Sequence, residues 1–329
     1  MKLLMIVLFL VLAAGGAVAF EVLMPYGPES EQFVEVAPGT STAGIAKQME
    51  SAGIVRNARV FEALKMWEME RHGRQSLKAG EYRFDHPDSM WDVYWRIEHG
   101  DSYTLTLAIP EGYNIFDVAA AVQTAGLGKA EEFLAAEKAR TDLVKPWSPQ
   151  ARSVEGYLFP ATYKFGRHAT SGLMLSTMVA KFTLEAQRLG LKGDVNRTVT
   201  MASLAEREVH LASERPEVVG VFENRMEQGM PLQTDPTVIY ASLLKGTWTG
   251  VIHQSELKAD SPYNTYVHGG LPPGPICNPG LAALTAAIHP AKTENLYFVA
   301  DANGATRFAK SLKDHAANVE VYRKSVGKR

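Results

Sequence analysis

The sequence predicts an α+β protein in two parts behind an N-terminal apolar segment. Three observations carry this reading. Over the first 128 residues, short β-type runs such as FVEV and LTLAI are interleaved with stretches of helical periodicity. From about Ala130 the chain turns helix-rich, with long Gly- and Pro-containing loops and one late pair of β-type runs, NLYFVAD and TRF. Ahead of both parts, Leu3 to Phe20 contains no charged residue. Short strands gathered around a helix-rich region, without a regular βαβα alternation, read as α+β.

The N-terminal run decides the compartment. At about 1.5 Å per residue, Leu3–Phe20 covers most of a hydrocarbon core about 30 Å thick. Lys2 is the one charge before it and Glu21 follows, which keeps the short N-terminus inside and exports the rest. A cleaved signal peptide is the alternative, with Ala17-Val18-Ala19 as a small-x-small site. The organisation that follows is a transmembrane anchor over residues 1–21, a Pro-, Gly- and Glu-containing linker over 22–32, a first region over 33–128 and a second over 129–329.

In the first region, Phe33–Val36 forms a strand, Pro38-Gly39 a turn, and Thr40 or Ser41 caps a helix lined by Ile45 and Met49, with Gly53 past its end. A helix over about 58–73, a returning strand in LKAGEYRF and a helix opened by Ser89 and closed by Gly100 complete a β-α-α-β-α module. The pattern partly recurs: TLTLAIPEGYNIFDVAAAVQTAGL repeats the strand, the Pro-Gly-containing turn (Pro110-Glu111-Gly112) and the helix of FVEVAPGTSTAGIAKQMESAGI. Such units resemble LysM-like modules, which bind GlcNAc-containing glycans; the same succession is also common supersecondary structure. The second region offers helices over 130–140, 171–189, 197–211, 216–228, 235–244 and 280–288. A hairpin turning at Asn303-Gly304 and a helix from about Leu312 complete it.

Composition excludes several chemistries. A net charge of -2 without a long Lys/Arg run gives no footprint for nucleic acid. One cysteine, Cys277, permits neither an internal disulfide nor a multi-cysteine metal site, and the histidines are scattered without His-Glu-x-x-His spacing, so no metal and no cofactor is expected. Neither a Gly-x-Ser-x-Gly elbow nor a phosphate-binding glycine loop is present.

Four clusters remain. In RTVTMASLAEREVHLAS, Glu206 and Glu208 point about 200° apart on a regular helix, so they cannot share one cleft. Glu206 has small, partly polar helical neighbours (Ala202, Ser203, His210), as the floor of a substrate groove would. A glutamate shielded from water there is a general acid, and an exposed helix carboxylate is the plain alternative. Glu208 sits among bulkier apolar groups and suits a buried tie to a loop. In MPLQTDPTVIYAS, Asp235 precedes Pro236 and reads as an N-cap, while Gln233 has no structural duty and is free to face a ligand. In SPYNTYVHGGLPPGPICNPG, Tyr263, Asn264 and Tyr266 ride on a stiff Pro- and Gly-rich backbone, fit either for sugar contacts or for packing that loop. In VEGYLFPATYKF, Glu155 and Tyr163 either line the same groove or pack a connection.

The stretches EGYLFPATY, ASLAERE, VFENRMEQGMPLQTDPTVIY, SPYNTYVHGGLPPGPICNPG and YFVAD, in this order, resemble the endolytic murein transglycosylase (YceG-like) family from about residue 33 to the C-terminus. The resemblance implies a single-pass protein of the inner membrane with its catalytic domain in the periplasm. Its implied reaction is lytic cleavage of MurNAc-β-1,4-GlcNAc bonds inside nascent peptidoglycan glycan strands, leaving 1,6-anhydroMurNAc ends. The first Glu of the family's Ala-Ser-x-x-Glu-x-Glu motif falls on Glu206, as acid and then base. Ala205 is smaller and His210 different from what the family pattern leads one to expect. Peptidoglycan synthases are the implied partners. A muramidase, a non-catalytic wall-binding scaffold and a lipid- or protein-binding domain are the rival readings.

Overall fold

The computed structural model describes residues 2–73, 75–301 and 304–326. The elements in chain order are α1 (Lys2–Leu23), β1 (Gln32–Val36), α2 (Thr42–Ser51), α3 (Ala58–His72), β2 (Gly80–Phe84), α4 (Met90–His99), β3 (Leu105–Ile109), α5 (Ile115–Thr124) and α6 (Ala130–Ala139). They continue with β4 (Ala161–Phe165), α7 (Ser171–Arg188), α8 (Val195–Glu208), α9 (Arg215–Glu227), α10 (Asp235–Lys245), the one-turn α11 (Gln254–Leu257), α12 (Leu281–Ile288), β5 (Tyr297–Ala300), β6 (Thr306–Ala309) and α13 (Leu312–Val326). The architecture is the expected helix-rich α+β, with three two-stranded sheets among the described residues. Asn303 of the anticipated hairpin turn lies outside the described residues.

Contacts divide the chain into two compact units, residues 1–105 with 166–168, and residues 106–165 with 169–329. In the first unit, β1 and β2 pair antiparallel with Val34 opposite Tyr82. Alternation puts Val34, Val36, Tyr82 and Phe84 inward, against Ile45, Met49, Phe61 and Leu64 of α2 and α3 and Val93 and Ile97 of α4. Ser41 caps α2 by accepting from the Gly44 N–H at 3.1 Å. The segment after α1 is fastened rather than loose. Arg56 donates to the carbonyls of Met24 and Pro25, both at 2.9 Å, and Tyr26 pairs as a bridge with Asp88.

The second strand-turn-helix copy, β3 with α5, does not join the first unit. Its contacts from Thr106 on belong to the second, where β3 pairs with β4. ATYKF, which reads from its aromatics as groove lining or as a packed connection, is a strand that alternates, with Tyr163 and Phe165 buried. The core of the second unit lies where α8, α9 and α12 pack together, around Met201, Leu204, Ala205, Val218, Val219, Phe222 and Ala286. Ala205 is fully buried there, and its small side chain suits close packing of α8 in this core.

Candidate active site

Helix α8 starts under an Asp194 cap and buries nearly every residue from Val199 to Ala205. It ends at Glu208, three residues earlier than periodicity suggests, because Val209 turns extended (φ -130°, ψ 139°). His210 and Ser213 therefore leave the helical face of Glu206. Their place is taken by Arg215, the first residue of α9.

The Glu206 side chain is only 4% exposed and that of Arg215 7%. Arg215 Nη2 donates to Glu206 Oε1 at 2.5 Å, and the backbone N–H of Gly280, just before α12, donates to Oε2 at 3.0 Å. Arg215 Nη1 lies 3.8 Å from Glu111 Oε2, so one guanidinium faces two carboxylates. Glu111 is half exposed and sits in the Pro110-Glu111-Gly112 turn beside Glu206. Gly280 leaves room for this carboxylate: a Cβ there would fall 1.8 Å from Glu111 Oε1, so a larger residue would push the Glu111 side chain aside. Burial raises the Glu206 pKa above the ordinary carboxylate value. The Gly280 N–H and the Arg215 charge work against the rise, and the Glu111 charge adds to it. The acid form and its conjugate base are thus both provided for.

The turn carrying Glu111 is held by Asn278, which is fully buried. Its backbone carbonyl accepts from Gly112 N–H at 3.0 Å, its N–H and Nδ2 both donate to Tyr113 O at 2.8 Å, and its Oδ1 accepts from Leu158 N–H at 2.8 Å. Nδ2 also donates to Glu155 Oε1 at 3.2 Å. Glu155 in turn accepts from the Ile115 N–H at the start of α5 at 2.8 Å. Burial pushes the Glu155 carboxyl up to about 8. Arg207 completes the frame by donating to Gly112 O at 3.3 Å.

The sequence-derived candidates separate into three places. Glu206 stands in the frame just described. Asp235 and Tyr266 meet elsewhere, Tyr266 Oη donating to Asp235 Oδ1 at 2.7 Å. The expected N-cap role of Asp235 is not what the structure shows, because Thr234 occupies that position and Asp235 is already helical. Glu208 belongs with this second cluster: burial, reinforced by the Asp235 charge, pushes its carboxyl up to about 7. The opposed directions of Glu206 and Glu208 on one helix are as the wheel argument required. Gln233 is exposed and holds φ at 52°, the one non-glycine residue at positive φ among those described. The third place is the interior. Glu155 is 2% exposed, Asn264 1% and Tyr163 8%. Asn264 Nδ2 is spent on the carbonyls of Glu256, Leu257 and Ala259, and Tyr163 donates to Phe159 O. The side chains of these three are held inside the protein, as the packing alternative for them expects. Tyr263 is partly buried against the Tyr240 ring, with centroids 5.1 Å apart.

Arg215, Glu111, Asn278 and Gly280 escaped sequence reasoning. Arg215 is out of helical register with Glu206, and the other three arrive from 72 or more residues away. The signal available was the Pro-Glu-Gly turn and the Cys-Asn-Pro-Gly string, both of which stood out as backbone punctuation.

A family model for the YceG-like family matches residues 34–321. The chain belongs to the YceG-like family. Among the relatives of this YceG-like chain, a protein of Bacillus subtilis named endolytic murein transglycosylase is 31% identical over 335 residues, covering 94% of this chain and 91% of that one. A protein of the same name from Streptococcus pneumoniae is also 31% identical, but the chain spans only 63% of its length. A crystal structure of a yceG-like protein from Listeria monocytogenes superposes with a TM-score of 0.56 at 30% identity, covering 88% of this chain and 99% of that one.

Proposed function

We propose that this YceG-like chain is an endolytic peptidoglycan lytic transglycosylase in which Glu206 acts as acid and then base. The observation that carries the role of Glu206 is its environment, a buried carboxylate whose acid form is favoured by burial and whose anion is met by Arg215 and the Gly280 N–H. The names of the two relatives support the substrate and reaction class.

In the first step Glu206 gives its proton to the bridging oxygen as the MurNAc C1–O bond to GlcNAc breaks. In the second the Glu206 carboxylate takes the proton of the MurNAc C6 hydroxyl while O6 bonds to C1. The proton count returns to its start, water is not consumed, and the nucleophile is intramolecular, at high effective molarity. Arg215 and Gly280 hold the carboxylate in the interval between the two transfers, a stabilisation aimed at charge that develops during reaction. Gln233, Asp235, Tyr266 and Tyr263 remain the candidates for sugar contact.

Among the described residues α1 is the one helix long and apolar enough to cross a membrane, and it fits a single-pass anchor. Our reading places it in the inner membrane, with the catalytic unit on the periplasmic side and peptidoglycan synthases as neighbours. The β1-α2-α3-β2 order supports a LysM-like reading of the first copy. The catalytic part starts at β3 rather than at residue 129, because Glu111 and Gly112 are built into the Glu206 frame.

The presence of Glu111 beside the same guanidinium favours one alternative, hydrolysis with a second carboxylate activating water. Digestion of uncrosslinked glycan by the full chain, with products weighed by mass spectrometry, separates the two. Ends one water lighter than the hydrolytic product, absent with Glu206→Gln, are expected. Reducing ends would replace the lytic reading with the hydrolytic one.

A further inference from the structure

Helix α1 has 22 residues, enough at about 1.5 Å each to be consumed by a hydrocarbon core of about 30 Å. None of its residues is buried in the protein. At its end Val22 packs on the core of the first unit, and α1 touches both α3 and α4. The next residues leave no slack. Arg56 grips the Met24 and Pro25 carbonyls while its guanidinium lies over the rings of Phe20 and Tyr26, at 5.1 and 4.7 Å. If α1 crosses a bilayer, the first unit has no tether on which to stand away from it.

Of the two helices that meet α1, α3 exposes Met66 and Trp67, at 58% and 43%, and the apolar surface continues onto the partly buried Trp91 and Trp95 of α4. Trp67 meets Trp91 of α4 at 5.8 Å, and Trp91 meets Trp95 at 6.1 Å. Arg71 caps the Trp67 ring at 4.5 Å. Tryptophan with an arginine beside it, next to the end of a spanning helix, has the chemistry of the membrane–water interface, where an apolar body and a polar tip are both satisfied. A sugar-stacking platform needs rings that present a common flat face. Here the planes meet at 61° and 57°, and Arg71 already covers Trp67.

We propose that this face, Met66 and Trp67 with Trp91 and Trp95, docks into the headgroup layer of the same bilayer that α1 crosses. The inference rests on reading α1 as an anchor. It makes the first unit a membrane-seated base rather than a module free to search the wall.

The test uses the full chain in phosphatidylethanolamine/phosphatidylglycerol nanodiscs whose acyl chains are brominated near the headgroup. In a Trp147→Phe/Trp248→Phe variant only Trp67, Trp91 and Trp95 emit. Loss of that emission in brominated discs relative to plain discs is expected. A Met66→Glu/Trp67→Glu variant, altered only at exposed positions, is expected to keep its place in the disc while Trp91 and Trp95 escape quenching. Full emission from a chain that elutes with brominated discs overturns the docking while leaving the anchor intact. A chain that does not elute with discs overturns both, through the anchor. An emission change on adding soluble N-acetylglucosamine oligomers, without quenching by bromine, overturns it in favour of a sugar platform.

Discussion

Arg215 Nη2 and Glu206 Oε1 are 2.5 Å apart with both side chains almost fully withdrawn from water. A buried pair of this kind is costly to break from one side, because the remaining charge has no partner. Replacing Arg215 by Met should lower stability by about 3–5 kcal/mol, read from denaturant midpoints. It should also remove a charge that holds the Glu206 pKa down, so the alkaline limb of the pH–rate profile, where the acid form is lost, moves to higher pH. Unchanged limbs would separate Arg215 from the titration of Glu206.

Glu111 acts with the opposite sign. Its charge favours the protonated form of Glu206, so Glu111→Gln should shift the same limb to lower pH. Gly280→Ala, whose Cβ would displace the Glu111 carboxylate, should shift it in the same direction with little loss of fold. The two profiles measured side by side test whether Glu111 works through Glu206.

On the proposed mechanism, removal of Glu206 has the largest effect on rate. For Glu206→Gln a fall in kcat of about 10²- to 10⁴-fold is expected, the range of a lost general acid–base. The circular dichroism spectrum should not change.

Glu155 makes stability depend on pH. Its carboxyl titrates at about 8 in the fold, and an unfolded glutamate near 4.3. Between these values the folded chain keeps a proton that the unfolded chain has released. The contribution of Glu155 is therefore complete below about 4.3 and declines as pH rises toward 8. Glu208, at about 7, adds a decline of the same sign. Thermal melting from pH 5 to 8 should show a falling Tm that Glu155→Gln flattens.

Gln233 tests a trade between stability and function. A side chain at φ 52° costs about 1–2 kcal/mol relative to a right-handed backbone, and glycine avoids most of this. Gln233→Gly should raise stability by up to about 1 kcal/mol, less the entropy glycine adds to the unfolded chain. If Gln233 touches glycan, the same variant loses activity.

What the sequence disclosed depended on range. Helix α8, the opposed directions of Glu206 and Glu208, the Ser41 cap and the hairpin strands follow from rules acting over a few residues, and they were legible. Arg215 was not, since the early end of α8 at Val209 breaks the helical register on which its neighbourhood was reckoned. The strand at ATYKF was not legible, because its aromatic content drew attention away from its alternation. Asp235 was assigned a cap because Asp-Pro usually marks one, whereas here the helix starts one residue early and frees the carboxylate for Tyr266. The partners of Asn278 lie up to 166 residues away, beyond any local pattern.

That distance has a consequence for how the protein is made. The last residue to close on Glu206 is Gly280, preceded by the Asn278 clamp on Gly112 and Tyr113. If α1 stays in the membrane and the residues after it are exported in chain order, as proposed, Glu206 is outside before residue 280 has emerged. Until then the carboxylate lacks its N–H donor and the Glu111 turn lacks its fastening. On the proposed reading, the Glu206 frame is complete only once Gly280 has emerged, and a chain cut before that residue lacks it.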